Sequence, residues 1–564
     1  MRREASVVNK KVCSFPILFA LLALLIGACA VVFPASAQAA PTSTGSITVS
    51  GTVASSYDAY QIFSANVIDD SGDAKIATDL AWASDAARDA ALPVLHSAGM
   101  PNSQTTAQEA AEWLTTDSHL TSALSAQLAR SLQNSGAVSV ALNAGTEAKL
   151  PCGYWLIVAD DDAIAQGEAG TAPIMALVGG SAVTVKPKAA TPKVSKHVLE
   201  DSTAAWQKAA DATVADDLYW RLSATVPAGL TAYDTYTVQF VDTMSAGLDP
   251  SKVAASMRVY VAAGADGGFD AVSVGKDGRA GTDPAKGWTD ITAQCATKVA
   301  ADGKTFTVRT GDLIAALGGA DAFTAGARVV AVYNAPLNSA CNHGIAKGNP
   351  NEVYLRYPRS PFADQSGDAG FTRTPSDDAC AYTWDLALTK RGSDGDKPLA
   401  GAVLSIADDR GRTLAADGTW DAEGKATVTT GEDGRVTVSG VDSGKLEVRE
   451  LKAPKGYTAF EGTRRSVTVK AEGLDVDQVA AAKPKLTVTA ESPLRADSAD
   501  GSTGSLEASL INTPTGTPSS ITTGGFMPST GDMAMYAAAA AAVAGAALIV
   551  VALLVKRGGG SHKE

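Results

Sequence analysis

The sequence predicts an all-β chain of tandem immunoglobulin-like β-sandwiches, the N-terminal one carrying a helical insertion. Three observations predict it. From residue 193 onward, short runs alternate apolar and polar residues between Asp-Gly, Glu-Asp-Gly and Ser-Gly turns, the pattern of strands joined by tight connections. Ahead of that, residues 80–96 and 106–132 carry helical rather than two-residue spacing. Roughly 490 residues remain once the two terminal segments are set aside, which suits three domains of ordinary size.

The first 14 residues carry Arg2, Arg3, Lys10 and Lys11, and an apolar stretch follows over 15–33. Ala35-Ser36-Ala37-Gln38-Ala39 then offers overlapping small-residue cleavage sites, so residues 1–39 read as a secretory signal peptide. Ile26-Gly27-Ala28-Cys29 is a competing lipoprotein-like box, but the residues after Cys29 stay apolar. The N-terminal domain, 40–187, opens on strand alternation at Ile47 and Val49. Its second helical stretch begins with a capping box, Thr106-Ala107-Gln108-Glu109, and spaces Trp113, Leu120, Leu124 and Leu128 along one face. Strands return at 138–142, 154–158 and 183–185.

The linker Lys186-Pro187-Lys188-Ala189-Ala190-Thr191-Pro192 leads into a middle sandwich, 188–373, whose last strand holds Asn351 and Tyr357; a polar connector runs on to about residue 381. A third sandwich is placed at 374–514. Residues 515–532 begin as a Thr/Ser/Gly/Pro spacer that cannot build a core. Residues 533–555 are uncharged, and about 23 residues at 1.5 Å each match a bilayer's ~30 Å core. Lys556 and Arg557 open a basic tail, 556–564, placed on the cytoplasmic side.

Composition narrows the function. A formal net charge of -13 with no basic stripe argues against nucleic-acid binding. The 5 histidines are scattered without metal-ligand spacing, no phosphate loop or nucleophile elbow occurs, and neither metal nor cofactor is expected. Asp160-Asp161-Asp162 reads as a solvated loop rather than a calcium loop. Of 6 cysteines, Cys13 and Cys29 lie in the signal peptide. Cys152, Cys295, Cys341 and Cys380 allow three pairings in an oxidising compartment, with Cys295–Cys341 preferred.

Strand parity exposes the chemistry. Val194, Lys196 and Val198 share a face, as do Tyr236, Val238, Phe240 and Asp242, and again Asn351, Val353, Leu355 and Tyr357. In the third domain the sets are Leu386, Leu388 and Lys390; Leu446, Val448 and Glu450; and Leu506, Ala508, Leu510 and Asn512. A single inward charge is usually a solvated strand end. Two sets in the same order of Lys, acid and Asn are a pattern. Burial lowers a lysine pKa and raises that of a carboxylic acid, so a neutral amine can attack the asparagine carbonyl while the acid supplies a proton. Ammonia leaves and a Lys–Asn isopeptide bond remains, predicted for Lys196–Asn351 with Asp242 and for Lys390–Asn512 with Glu450.

These residues resemble those of the isopeptide-forming, sortase-assembled pilins of Gram-positive bacteria. Leu446-Glu447-Val448-Arg449-Glu450-Leu451-Lys452-Ala453-Pro454-Lys455-Gly456-Tyr457 resembles their E-box, with Leu446 in place of the usual Tyr and Glu450 on the catalytic acid. The third domain thus resembles a Cna B-type, prealbumin-like domain. The middle one is similar to the fimbrial isopeptide-formation domain, through Val194–Val198, Phe240-Val241-Asp242 and 349–355. Met527-Pro528-Ser529-Thr530-Gly531 resembles the LPXTG sorting motif, with Met527 in place of Leu. The resemblance implies cleavage between Thr530 and Gly531, and transfer of Thr530 to a lysine of the next subunit. Lys188 is the assigned acceptor, with Lys186 its competitor and Lys485 an unfavoured third.

The implied protein is a secreted structural backbone pilin and not an enzyme, polymerised by sortase and covalently attached to the peptidoglycan of a Gram-positive cell wall. Its partners are sortase, identical subunits, candidate minor pilins, the wall and an unspecified host ligand. The alternative is a monomeric wall-anchored adhesin or minor pilin. In a fibre, tension enters at Lys188 and leaves at Thr530, bypassing the first domain, whose residues 40–74 contain no lysine that could start a crosslink.

Overall fold

The structure, a computed structural model, describes residues 43–516 apart from 70–73, 188–190, 265–267, 283–285, 324–325 and 460–462. The signal peptide, Lys188, the motif Met527–Gly531, and the expected span and tail all lie outside the described residues. Among the described residues no helix is long and apolar enough to cross a membrane.

The described chain is all-β with one helical layer, as its sequence predicts. In the first domain a sheet of Glu147–Pro151, Thr44–Val49 and Val183–Val185 faces a second of Lys75–Trp82, Ser56–Asp69, Gly153–Ala159 and Ile174–Val178, with Ser139–Asn143 beside Ser56–Asp69. Strand Gly153–Ala159 is buried along its whole length, and its parity explains why. Trp155, Ile157 and Ala159 enter the core between the sheets, whereas Tyr154, Leu156 and Val158 meet the helices on the opposite face.

The helical layer begins later and is more broken than the spacing suggests. Residues 80–82 end a strand, and the first helix is Asp85–Ser97. The single stretch read over 106–132 is two helices, Ala107–Thr115 and Ser122–Gln133. Between them Asp117 and Ser118 take positive φ (49° and 59°), which ends a helix. The capping box forms as spelled, with Thr106 and Glu109 each satisfying the other's backbone N–H.

The middle domain packs two sheets around one core holding Trp220, Tyr236, Phe240, Phe306, Tyr333 and Tyr357. One sheet runs Ala205–Gln207, Lys193–Glu200, Tyr219–Val226, Ala327–Asn334, Arg258–Ala263, Trp288–Asp290. The other runs Ala209–Asp211, Asp377–Tyr382, Asn349–Pro358, Gln239–Met244, Thr305–Arg309, Ala296–Val299. Strand Asn349–Pro358 is therefore not this sheet's last in chain order. Phe371–Arg373 and Asp377–Tyr382, on either side of the 373/374 boundary read from the sequence, both pair with it. The Ser-, Asp- and Gly-rich composition of 362–381 disguises these short strands as a connector.

In the third domain Trp384–Gly392 and Ser505–Pro514 lie side by side and parallel, Asp385 opposite Ser505 and Gly392 opposite Asn512. Arg435–Val441 flanks the first of them, and the facing sheet contains Val403–Ala407, Gly444–Lys452, Arg465–Glu472 and Lys485–Ala490. The turn Asp433-Gly434 needs its glycine. Gly434 has φ +74°, a Cβ there would sit 2.8 Å from the Lys390 carbonyl oxygen, and its own oxygen accepts the Lys390 N–H at 2.8 Å.

The domains dock on each other. Tyr357 Oη donates to Gly167 O (2.7 Å) and Arg130 pairs with Asp234 (3.1 Å) between the first and middle domains. Between the middle and third, Trp384 Nε1 donates to Asp211 Oδ2 (2.6 Å), and Arg412 grips both carboxylate oxygens of Asp216 at 2.6 and 2.7 Å.

Candidate functional site

Two polar clusters lie inside otherwise apolar cores, one per domain after the first. In the middle domain Lys196 and Asp242 are 0 % exposed and Asn351 is 1 % exposed. Alternation on Lys193–Glu200 turns Lys196 and Val198 inward together, and Lys196 lies opposite Leu222 on the neighbouring strand. Asp242 lies between Phe306 and Val353, and Asn351 opposite Met244. Lys196 thus comes from one sheet, Asp242 and Asn351 from the other, and the cluster spans the sandwich.

Lys196 Nζ donates to Asp242 Oδ2 and, at 2.9 Å, to the hydroxyl of Tyr333. That hydroxyl donates to Asp242 Oδ2 (3.0 Å) and accepts from Asn351 Nδ2 (2.8 Å). The rings of Trp220 and Tyr333 each face Nζ at 5.4 Å. The backbone is fixed as well: Asp377 Oδ2 accepts the Lys196 N–H at 2.7 Å, and Lys208, which pairs with Asp377, donates to the Lys196 carbonyl at 2.8 Å. Burial pushes the Lys196 amine down to about 8, against the opposing pull of Asp242. Burial also raises the Asp242 carboxyl above its ordinary range, outweighing Lys196 and Tyr333. Each shift favours the neutral form that attack on an amide requires.

The third-domain cluster has a different layout. Lys390 and Asn512 stand on adjacent parallel strands of one sheet, while Glu450 reaches across from the other. Lys390 Nζ donates to Asn512 Oδ1 and lies 3.1 Å from Glu450 Oε1, and Asn512 Nδ2 donates to the same Oε1 at 2.8 Å. The side chains of Lys390 and Glu450 are fully buried, and burial pushes the lysine down to about 8, opposed by Glu450. One carboxyl oxygen therefore touches both the amine and the amide nitrogen that would leave.

The structure thus brings together all six residues that parity singles out. It also adds Tyr333, which shares an inward face with Val329 and Ala331 and could be found by the same parity, though an inward tyrosine is ordinary core. Cys295 and Cys341 do not pair. All four described cysteines are free thiols, with Cys295 Sγ donating to Ile291 O (3.3 Å) and Cys341 Sγ 3.6 Å from His343 Nε2. Sequence spacing carries no information on whether two loops bring their sulfurs within bonding range. Lys186, the competing acceptor, is exposed. Asp160 is occupied as a cap, its Oδ1 accepting Asp162 N–H at 3.1 Å. Among the described residues no group of three or more His, Cys, Asp or Glu is placed to hold a metal.

In the first domain, among the described residues, no equivalent cluster is present in the core. Lys75, the first lysine of its described part, donates to the carbonyls of Gly179 and Ser181 instead.

Comparison with known proteins places relatives around this geometry. Residues 385–483 match the family described as SpaA, prealbumin-like fold domain. The trypsin-resistant surface T6 protein of Streptococcus pyogenes serotype M6 is 31% identical over 134 residues, 22% of this chain and 23% of that protein. The chain therefore matches under a quarter of the length of this curated relative. Among solved structures, the T6 backbone pilin of S. pyogenes serotype M6 shares 17% identity with a TM-score of 0.44, covering 84% of this chain and 98% of that one. The major pilin SpaD of Corynebacterium diphtheriae shares 14% identity (TM-score 0.40; 84% and 98% covered), and the major pilin subunit BcpA of Bacillus cereus 12% (0.37; 84% and 99%).

Proposed function

We propose that this chain is the backbone subunit of a sortase-assembled pilus, stiffened by two intramolecular isopeptide bonds, Lys196–Asn351 and Lys390–Asn512, and attached finally to the cell wall. The observation that carries the reading is the pair of buried Lys–acid–Asn clusters. A buried lysine beside a carboxylic acid is costly as a static ion pair. The cost is relieved when amine and amide condense, because the product is neutral and hydrogen-bonded. In the third domain the amine, the amide and the acid are in direct hydrogen-bonding reach of one another, and in the middle domain the Tyr333 hydroxyl bonds the amine, the acid and the amide together, the placement that converts a bimolecular condensation into an intramolecular one. Asp242 and Glu450 act as the proton-transferring acids. The match to the SpaA prealbumin-like family and the likeness to proteins described as backbone or major pilins support the same reading.

In such a fibre Thr530 of one subunit is joined to Lys188 of the next. Tension then crosses the two domains that hold clusters and bypasses the one that does not. Sortase, further copies of this chain, minor pilins and peptidoglycan are the partners of this reading.

Intact mass tests it. Folded protein spanning 40–530 loses two ammonia masses, Asp242→Ala restores one and Glu450→Ala the other. An unmodified wild-type mass removes the crosslinks. On native cells, detergent-resistant ladders separate a polymer from a monomeric adhesin, and peptide mapping finds Thr530 on the Lys188 side chain; a link at Lys186 moves the site by two residues, and one at Lys485 overturns the force path.

A further inference from the structure

The two clusters solve one problem with carboxylic acids of different length. In the third domain Glu450 Oε1 contacts both the Lys390 amine (3.1 Å) and the Asn512 amide nitrogen (2.8 Å). Asp242 is one methylene shorter. Its Oδ2 bonds Lys196 and Tyr333, its Oδ1 has no hydrogen-bond partner, and it makes no hydrogen bond to Asn351. The gap is filled by the Tyr333 hydroxyl, 3.0 Å from Asp242 Oδ2, 2.8 Å from Asn351 Nδ2 and 2.9 Å from Lys196 Nζ.

We infer that Tyr333 is a catalytic residue of the middle-domain crosslinking reaction, relaying the proton of Asp242 to the departing amide nitrogen of Asn351. The inference rests on the crosslinking reading above. Neutral Lys196 attacks Asn351 Cγ and a C–N bond forms. In the tetrahedral adduct Nδ2 gains a lone pair, so the phenol that accepted its N–H turns to donate, giving its proton to Nδ2 as it takes the proton of the Asp242 carboxylic acid. The Cγ–Nδ2 bond breaks, ammonia departs, and the attacking nitrogen returns one proton to the carboxylate. Amine plus primary amide thus become secondary amide plus ammonia, with Tyr333 and Asp242 regenerated and nothing oxidised or reduced.

Surroundings suit this role. The Tyr333 ring is fully buried, packs edge-on against Phe306 with centroids 4.8 Å apart, and sits opposite Trp220 in the strand register. Its hydroxyl therefore has little freedom to leave the three reacting groups. Burial, the largest cause, holds the phenol well above its ordinary pKa, so it enters the reaction protonated. Ring packing is unaffected by Tyr333→Phe, which deletes only the oxygen.

The test compares intact masses over time for protein refolded from a denatured, never-folded preparation. Wild type loses two ammonia masses. Tyr333→Phe loses one promptly, at Lys390–Asn512, while its middle-domain link forms at least about 100-fold more slowly, the low end for a general acid–base group. Asp242→Glu added to Tyr333→Phe speeds that link again, because the longer acid reaches the amide as Glu450 does. Asn351→Ala supplies the thermal stability of an unlinked middle domain, which Tyr333→Phe should match. Two prompt losses in Tyr333→Phe overturn the inference and leave the crosslinks standing; no loss in wild type removes the crosslinks themselves. A Tyr333→Phe domain far less stable than Asn351→Ala makes the hydroxyl a structural prop, and a double variant no faster than the single one removes the reach argument; either outcome also overturns it.

Discussion

Replacing Glu450 by Gln removes the proton-transferring carboxyl at nearly constant volume and leaves an oxygen to accept from Asn512 Nδ2. Lys390 and Asn512 are 122 positions apart, so their link closes a long loop in the unfolded chain. In the chain-entropy description such a closure contributes about 5 kcal/mol. For a domain of this size each kcal/mol moves the midpoint by roughly 3–5 °C, so the third-domain transition should fall by about 15–25 °C. Glu450→Gln also strips the buried lysine of its carboxylate, a cost unrelated to the loop. Asn512→Ala separates the two effects, since it prevents the link yet keeps Glu450 beside Lys390. The drop common to both variants is the loop contribution. Calorimetry of the folded proteins, with intact mass on the same samples, makes the measurement. A Glu450→Gln protein that still loses two ammonia masses refutes the assignment of the acid. Two unlinked variants that melt within 5 °C of wild type refute the magnitude.

Further outcomes follow from the same geometry. Because burial sets Lys196 and Lys390 at about 8, the initial linking rate on refolding should climb with pH from 6 towards 8 as the neutral amine becomes populated, and a flat profile over that range would count against amine attack. In Asn512→Ala, where Lys390 stays unlinked, the folded lysine at about 8 lies below its ordinary 10.5. The unfolded state then binds more protons between those values, so the burial penalty is complete below pH 8 and stability rises as pH climbs towards 10.5; denaturant midpoints at pH 7 and 10 would show it, and an equal or falling midpoint would contradict it. Under tension the folded part of the linked polymer should yield between the two crosslinks. Residues 352–389 lie outside both covalent loops, and about 38 residues at ~3.4 Å add at most roughly 130 Å per subunit beyond the short end connectors 189–195 and 513–529. Single-fibre stretching that shows whole-domain steps, or none, would contradict this path.

That last expectation depends on what the sequence conceals. Parity alone turns Lys196, Asp242, Asn351, Lys390, Glu450 and Asn512 inward, because a two-residue repeat is written locally in each strand. Which sheet a strand joins is not. The short strands Phe371–Arg373 and Asp377–Tyr382 have partners at 349–358, and nothing in their own composition announces it. As a result the proposed middle link would tie the entering strand to an interior one, and Asp377–Tyr382 is held by hydrogen bonds to 349–353 and to Ala209–Asp211. The proposed third-domain link would instead join first and last strands that are neighbours in one sheet. Tyr333 was hidden for a related reason. Its meaning comes from a gap between an aspartate on one strand and an asparagine on another, a distance set by how two sheets pack. The same gap is absent where glutamate supplies the extra methylene. Acid length and the presence of a bridging phenol are therefore coupled choices, and a change in one should be tolerated only with a change in the other.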